Sequence, residues 1–570
     1  MIIDANDLDE AAPLGPYDVC IVGSGFAGLV VARELSRHGL RLCVLESGGR
    51  ERTAHAAALK AVVSDGQIPI KPDSRERVLG GTSATWDGLS APLDPIDLAP
   101  RPWVPRSGWP LAYAELERYY AAAAARYGFP DPALFRDNLL APVKAAGDRR
   151  PAWRHLCERL MLAPTRPPRL AQRFRAFLEG PTVEVYTDAS VVELLADRAR
   201  GVVTAAEIRT RGRRTHRVTA RVFVLAAGGI ENARLLLLST QLCPAGLGNE
   251  HDQVGRCFMN HPKNPAGLVA PLGALRHLPA YFGCLYRGWA GYLALRLDDA
   301  TQARLEVLNS CVRLEPLYPW SDRRAVQLLL NYLKAHRRLW ERLQAVRGDA
   351  ALRDYAETGD DPAVKIEGAV PSAAALLVAV AREPGPVAHY LVCRLLDRVV
   401  RPRVRAIRIR NFMEMAPDPD NRVLLAEARD AYGKPRALVR HSTTPLDRRS
   451  LVALHQVLAE ELAAAGLGRL GSPLTTADPW PITADASHHL GATRMGTDPR
   501  TSVVTPECRL HTVPNVYVAG GSVFPTGGSA NPTYTIVALA IRLAEHLARA
   551  LAPRPAPALA TRPSGPDRAQ

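Results

Sequence analysis

No two cysteines stand in a C-x-x-C pair, and the total of nine is odd. That argues against a disulfide framework or a zinc site and for reduced, mostly buried thiols, with no metal expected. Long hydrophobic runs are missing as well. The longest apolar stretch, near 369–381, is shorter than the roughly 18–20 residues a bilayer span needs. The first residues, Met1-Ile2-Ile3-Asp4, carry an acid where a secretory signal would carry Lys or Arg, and no apolar core follows. These absences point to a cytoplasmic protein without a membrane span. A concentrated basic tract is also lacking. The net charge is +15, but the basic residues are spread along the chain and are mostly Arg. Together with abundant Ala and Pro this reads as a composition bias, and no nucleic-acid motif accompanies it.

What the chain does have is an ordinary globular balance, 47% apolar and 23% charged residues, which excludes disorder or coiled coil for its bulk. At roughly 150 residues per domain, 570 residues imply two or three lobes. There are no internal repeats.

Residues 17–22 form a short strand-like run, followed at once by Gly23-Ser24-Gly25-Phe26-Ala27-Gly28. Residues 29–38 read as a helix stopped by Gly39, and 41–45 as a second strand ending at Glu46. A Gly-x-Gly-x-x-Gly loop alone is a weak signal. Between a strand and a helix, with an acid at the end of the next strand, it is what dinucleotide binding requires. Gly23 makes the tight turn, Gly25 lets a pyrophosphate approach the backbone, and Gly28 allows close helix–strand packing. The helix N-terminus faces the phosphates, and Glu46 accepts hydrogen bonds from ribose hydroxyls. The loop itself does not distinguish FAD from NAD. Two later strand-to-Gly turns favour the longer FAD: 218–225 ending in Ala226-Ala227-Gly228-Gly229, and 516–518 ending in Ala519-Gly520-Gly521.

Between these lie a Pro- and Trp-rich stretch (92–110), a helix predicted over 111–127, strands over 181–195 and 202–209, and a helix over 231–238. From 261 to 480 the character changes. Arg-rich helical stretches (321–346, 386–401) precede two alternating strands, 421–425 and 436–441, around the hairpin turn Asp430-Ala431-Tyr432-Gly433. Chemistry concentrates near the C-terminus. Residues 488–496 read His-His-Leu-Gly-Ala-Thr-Arg-Met-Gly. Residues 520–535 hold Asn531-Pro532-Thr533 ahead of an apolar-faced helix over 535–550. A histidine supplies a base near neutrality, and an asparagine a donor that never carries charge. Asn-Pro before a helix leaves backbone N–H groups free at its positive end, a suitable place for an electron-rich cofactor edge.

On these motifs, together with Glu46-Ser47-Gly48-Gly49, Leu79 to Trp86, Asn232, Gly255-Arg256 through His261 and the hairpin turn, the chain resembles the glucose–methanol–choline (GMC) flavin oxidoreductases. The branch it is most similar to is that of pyranose oxidases and bacterial sugar dehydrogenases. The resemblance implies an α/β fold: a Rossmann-type FAD-binding domain built from discontinuous segments, plus an α+β substrate domain with an antiparallel sheet. The segments expected are 1–91, 181–260 and 481–552 for the FAD domain, the last with the catalytic His and Asn. A helical excursion or lid occupies 92–180, the substrate domain 261–480, and a disordered tail 553–570.

The resemblance also implies site residues. The base matches His488, with His489 one register position away and Ala492 replacing the family's usual Thr; the second active-site position matches Asn531. Cofactor contacts fall on Gly23, Gly25, Phe26, Ala27, Gly28, Glu46 and Ser47, then on Gly81, Thr82, Thr85 and Trp86. Further ones are Val191, Ala227, Gly228 and Asn232, followed by Gly520, Gly521, Asn531, Pro532 and Thr533. Some pyranose oxidases attach FAD covalently through a His where this chain has Thr85, so non-covalent FAD is expected.

The implied reaction takes the CH–OH of a sugar, glycoside, polyol or aminocyclitol-like substrate to a carbonyl. His488 would accept the hydroxyl proton and Asn531 hold the same oxygen. A biosynthetic role on an aminoglycoside-like sugar belongs to this reading. The electron acceptor, oxygen or a quinone or protein carrier, and the oligomeric state stay open. A nicotinamide-dependent dehydrogenase, a non-redox lyase of the same family and a binding protein are the alternatives. His261 reads equally as a pocket residue or as loop packing.

Overall fold

The computed structural model describes residues 1–9, 14–136, 150–164, 167–276, 278–286, 289–336, 370–395 and 402–552. The expected tail from 553 lies outside the described residues, as do the ends of both Arg-rich stretches.

An eight-stranded sheet forms the first layer, assembled from the chain's distant segments. Strands Ile2–Asp4, Glu184–Thr187, Leu42–Leu45, Leu14–Val22 and Thr215–Leu225 run side by side and parallel. Val516–Val518 adds a further parallel partner to Thr215–Leu225. Val19–Val22 is buried on both faces, as an interior parallel strand must be. In the register Val22 stands opposite both Leu45 and Leu225, and Leu225 opposite Val518. Glu46, Gly23, Ala226 and Ala519 therefore leave the sheet at one edge, at the carboxyl ends of the strands where such folds bind ligands. An antiparallel ribbon, Ser190–Asp197 with Val202–Arg209, completes the sheet. The single strand expected over 181–195 is in fact two, broken at Asp188, which has φ 52°.

The helix Phe26–Leu35 covers this sheet and ends through a short 3-10 turn at Gly39 (φ 68°), a left-handed stop that glycine adopts without strain. The C-terminal helix Thr533–Leu551 packs against it and against Tyr113–Tyr127. Buried hydroxyls fasten these elements: Tyr120 to Thr535 at 2.7 Å, Tyr534 to the Pro130 carbonyl at 2.6 Å, and Tyr127 to Glu34 of the helix Phe26–Leu35.

The second sheet is antiparallel, in the order Cys284–Tyr286, Trp289–Leu297, Cys311–Leu317, Ala406–Phe412, Pro265–Ala270 and Arg469–Gly471. Two expectations about the segments need correcting. The stretch 92–180 is not wholly a helical excursion, because Leu156–Pro164 pairs along Trp289–Leu297 and joins this sheet. Its Leu, Glu, Arg and Met residues have good helix propensity, but pairing and burial of 160–163 override it. The hairpin Arg422–Arg429 and Pro435–Arg440 falls inside the expected substrate domain, yet it pairs in parallel with Val63–Asp65 of the first segment. It also packs on the helix Glu231–Leu238. No helix among the described residues is long and apolar enough to cross a membrane.

Candidate active site

The strand edges converge on one cavity, and the glycines around it divide into two kinds. A Cβ on Gly23 (φ 105°) would lie 2.6 Å from the Ala226 carbonyl oxygen, and one on Gly28 would lie 2.0 Å from the Gly23 carbonyl oxygen. Both are glycine so that the turn and the helix can press together. By contrast, a Cβ on Gly25, Gly228 or Gly520 would meet nothing within 4 Å. These three, one from each chain segment, front open space and let backbone lie directly against an occupant. Gly25 caps the helix Phe26–Leu35 without a side-chain hydrogen bond, so its first N–H groups are free to meet an anion. A dinucleotide fits this cradle.

The cavity wall includes Gly23, Gly25, Phe26, Ala27, Glu46, Ser47, Gly81, Thr82, Val191, Ala227, Gly228, Gly520, Gly521, His488, Pro532 and Thr533, all expected from the sequence. Glu46 is buried. Its Oε2 accepts from the Ser24 amide (3.1 Å) and hydroxyl (2.5 Å), and its Oε1 from the Gly48 amide (2.8 Å). Burial raises its pKa against the pull of these donors.

Five expected contacts lie behind or beside that wall. Gly28 is the packing glycine just described. The Asn232 side chain accepts from the Ala227 amide (2.8 Å) and donates to the Ala519 carbonyl (3.1 Å) and the Ser522 hydroxyl (3.0 Å). It thereby ties two segments of the nucleotide domain together behind the cradle. Trp86 packs edge-on against Phe26 at 4.8 Å, and Thr85 is exposed with its hydroxyl turned to the Thr82 carbonyl. Asn531 is only 6% exposed; its Oδ1 is buried with no hydrogen-bond partner, next to the wall residues Pro532 and Thr533.

The wall also contains charges that the motifs did not indicate: Lys60, Arg75, Arg77 and Glu231. Glu231 meets Arg75 and Arg77 at 3.1 Å each and Arg234 at 3.2 Å. Burial alone would raise its pKa, but the three guanidinium groups hold it at about 2. The available signal was Arg75-Glu76-Arg77, just ahead of the Leu79–Trp86 motif.

Around His488 the structure assembles a cluster. Met259 and Leu490 pair their backbones, which brings 260–261 beside 488–489. The Asn260 Oδ1 accepts from the His261 amide (2.8 Å) and the His488 amide (3.1 Å), and its Nδ2 donates to Asp485 Oδ1 at 2.6 Å. The imidazoles of His261 and His488 meet through their Nδ1 atoms at 3.0 Å. His489 also lines the cavity but turns its Nε2 to Asp485, 3.4 Å from Oδ1. Burial would push Asp485 up, but His489 and the Asn260 and Lys71 donors hold it far below the usual carboxylate range. Desolvation, reinforced by Lys263 and His261, lowers His488 well below an ordinary histidine, so it is neutral at neutral pH.

The loop leading to Asn531 is held from outside the nucleotide domain. The Thr526 hydroxyl donates to the Asp97 carbonyl (2.6 Å), the Gly528 amide to Glu414 (3.3 Å), and Arg159 to the Ser529 hydroxyl (2.9 Å). Glu414 is in turn bound two-pronged by Arg101, at 2.8 and 2.6 Å, with both side chains buried. Burial, with Asp94 and Glu414 nearby, raises Asp97 to about 7.

Comparison with known proteins agrees with this architecture. A family model described as GMC oxidoreductase matches residues 417–540, and one described as FAD dependent oxidoreductase matches 18–244. The chain is 26% identical to paromamine 6'-oxidase of Streptomyces fradiae over 97% of both proteins. It is 25% identical to 6'''-hydroxyparomomycin C oxidase of Streptomyces lividus over 95% of both. In fold it is similar to formate oxidase, with a TM-score of 0.55 at 16% identity, covering 95% of this chain and 99% of that one.

Proposed function

We propose that this chain, which belongs to the GMC family of FAD-dependent oxidoreductases, oxidises a hydroxyl of a sugar- or aminocyclitol-like substrate to a carbonyl, with His488 as the base. The observation that carries the reading is the state of His488. Its ring stands in the cavity wall, is kept neutral, and has Nδ1 engaged, while no protein group among the described residues caps its Nε2. An imidazole in that state is prepared to take a proton.

The residues placed to hold FAD are the open glycines Gly25, Gly228 and Gly520, the free N–H groups that follow Gly25, Glu46, and the start of the helix Thr533–Leu551. FAD supplies a two-electron acceptor for the carbinol hydrogen. His488 Nε2 takes the hydroxyl proton. Asn531 steadies the reacting oxygen, or its substrate neighbour, by donating from its amide Nδ2. The rigid loop 526–529 fixes where Asn531 stands.

The test is a visible spectrum followed by an anaerobic screen of sugars, aminosugars and cyclitols. The purified protein should be yellow and should bleach with one class of these. A colourless protein that cannot be loaded with FAD, or a flavin that no carbinol reduces, would reject the reading. Reoxidation of the bleached enzyme by air-saturated buffer then separates an oxidase from a dehydrogenase.

A further inference from the structure

We propose that His261 is the positioning residue for the base: its Nδ1 accepts the Nδ1–H of His488 and so fixes the tautomer that leaves His488 Nε2 bare toward the cavity. The inference rests on the reading of His488 as the base.

The argument is a proton count. The two Nδ1 atoms are 3.0 Å apart, so one proton lies between them and belongs to one ring. The other nitrogen of His261 decides which. His261 is 1% exposed and its Nε2 is buried away from water. That atom lies against the Gly527 backbone, where a Cβ would come within 3.0 Å of it. The Gly527 carbonyl favours an N–H there, although the contact falls short of full hydrogen-bond geometry. His261 is also neutral, since burial and the nearby Lys263 lower it to about 4. It therefore carries one proton, and the carbonyl draws that proton to Nε2. Its Nδ1 is left as an acceptor, and His488 must be the donor.

The opposite assignment would point a buried Nε2 lone pair at a carbonyl oxygen. It would also place the His488 proton on Nε2, where it blocks proton transfer. As His488 takes the hydroxyl proton it becomes an imidazolium with N–H on both nitrogens, and its Nδ1–H keeps the same acceptor throughout. Asn260 completes the arrangement by holding the backbone amides of both histidines with one carbonyl oxygen. The other charged or titratable groups facing the pair are Lys263, Arg159, Asp485, His489 and Glu414. None of them supplies this acceptor: Asp485 is engaged by Asn260 and His489, and Glu414 by Arg101.

The test compares holoenzyme carrying His261→Leu, which removes the acceptor, with His261→Asn, whose Oδ1 can stand where Nδ1 stood. Flavin absorbance and thermal melting establish occupancy and fold. The limiting rate of anaerobic flavin reduction and KM are then measured. The 15N spectrum of labelled histidines reads the tautomer directly, with the His488 signal identified by its loss in His488→Ala. His261→Leu is expected to keep its flavin and KM, to reduce at least about tenfold more slowly, and to show His488 no longer held as the Nδ1–H tautomer. His261→Asn is expected to restore both rate and tautomer. A wild-type rate in His261→Leu, or an equal loss in both variants with the His488 tautomer unchanged, overturns the proposal. If His261→Leu does not fold, His261→Asn decides alone: a slow enzyme with the Nδ1–H tautomer gone is the adverse result. A wild-type rate in His488→Ala would instead remove the base assignment, and the tautomer measurement would still judge the pairing by itself.

Discussion

At the scale of single residues the site depends on protonation states. As the proposed base, His488 is useful only when neutral, and its pKa is lowered, so that form is fully populated above an ordinary histidine's range. Protonation, and with it loss of the base, begins only as the pH falls through the lowered value. The acid limb of the flavin-reduction rate should therefore lie below pH 6.5, with a flat profile above it; a half-maximum at or above 6.5 would contradict the assignment. Replacing His488 by Ala should leave bound flavin and fold intact and slow flavin reduction by about 10²–10⁴-fold, the usual cost of losing a positioned base. Stopped-flow bleaching measures this. His489 is one position away but turns to Asp485, so His489→Ala should not reproduce that profile of retained fold with lost reduction.

At the scale of elements the two kinds of glycine make opposite predictions. Gly25 has an ordinary φ of −72° and open space before it, so Gly25→Val should fold and melt near the flavin-free wild-type protein yet purify without flavin. Gly28→Ala places a methyl 2.0 Å from the Gly23 carbonyl oxygen, inside the contact between helix and turn. It should destabilise the whole nucleotide domain by the roughly 1–3 kcal/mol typical of overpacking, visible as a lower melting temperature before any effect on flavin is considered. Equal behaviour of the two variants would refute the division. The same logic separates Asn232 from Asn531: one amide is held by the Ala227 and Ala519 backbone and the Ser522 hydroxyl, the other keeps a buried oxygen unpaired.

For the whole molecule, the two sheets share one continuous apolar core, and a buried polar link runs through it. Arg101 comes from the segment between the first two nucleotide pieces, Glu414 follows the strand Ala406–Phe412, and Gly528 belongs to the loop before Asn531. Removing one partner of such a pair leaves an uncompensated buried charge. Arg101→Met should therefore cost about 3–5 kcal/mol in unfolding free energy, and should disturb the site through Glu414 and Gly528. Chemical denaturation gives the stability and flavin reduction the activity. An unchanged denaturation midpoint would show that the pair holds nothing.

Local spacing along the chain was enough to specify the nucleotide half of the fold. Tight turns, a helix start and an acid at the end of the next strand depend on spacing within a few residues, so the positions of Gly23, Gly25, Gly28 and Glu46 were legible, as were the elements Glu231–Leu238 and Tyr113–Tyr127 nearly to their ends. The placement of His488 in the cavity wall and of Asn531 beside it was legible because both stand in short motifs of the same kind. Tertiary structure alone decided the rest. Leu156–Pro164 became a strand because a partner edge was available to it. The hairpin at 422–440 was claimed by Val63–Asp65. Lys60, Arg75 and Arg77 reached the cavity from a stretch without a pattern, and His261 met His488 across more than two hundred residues of chain. The division has one physical cause. Backbone conformation is governed by near neighbours and is written locally, whereas a hydrogen bond or ion pair between distant segments exists only once packing has brought them within about 3 Å.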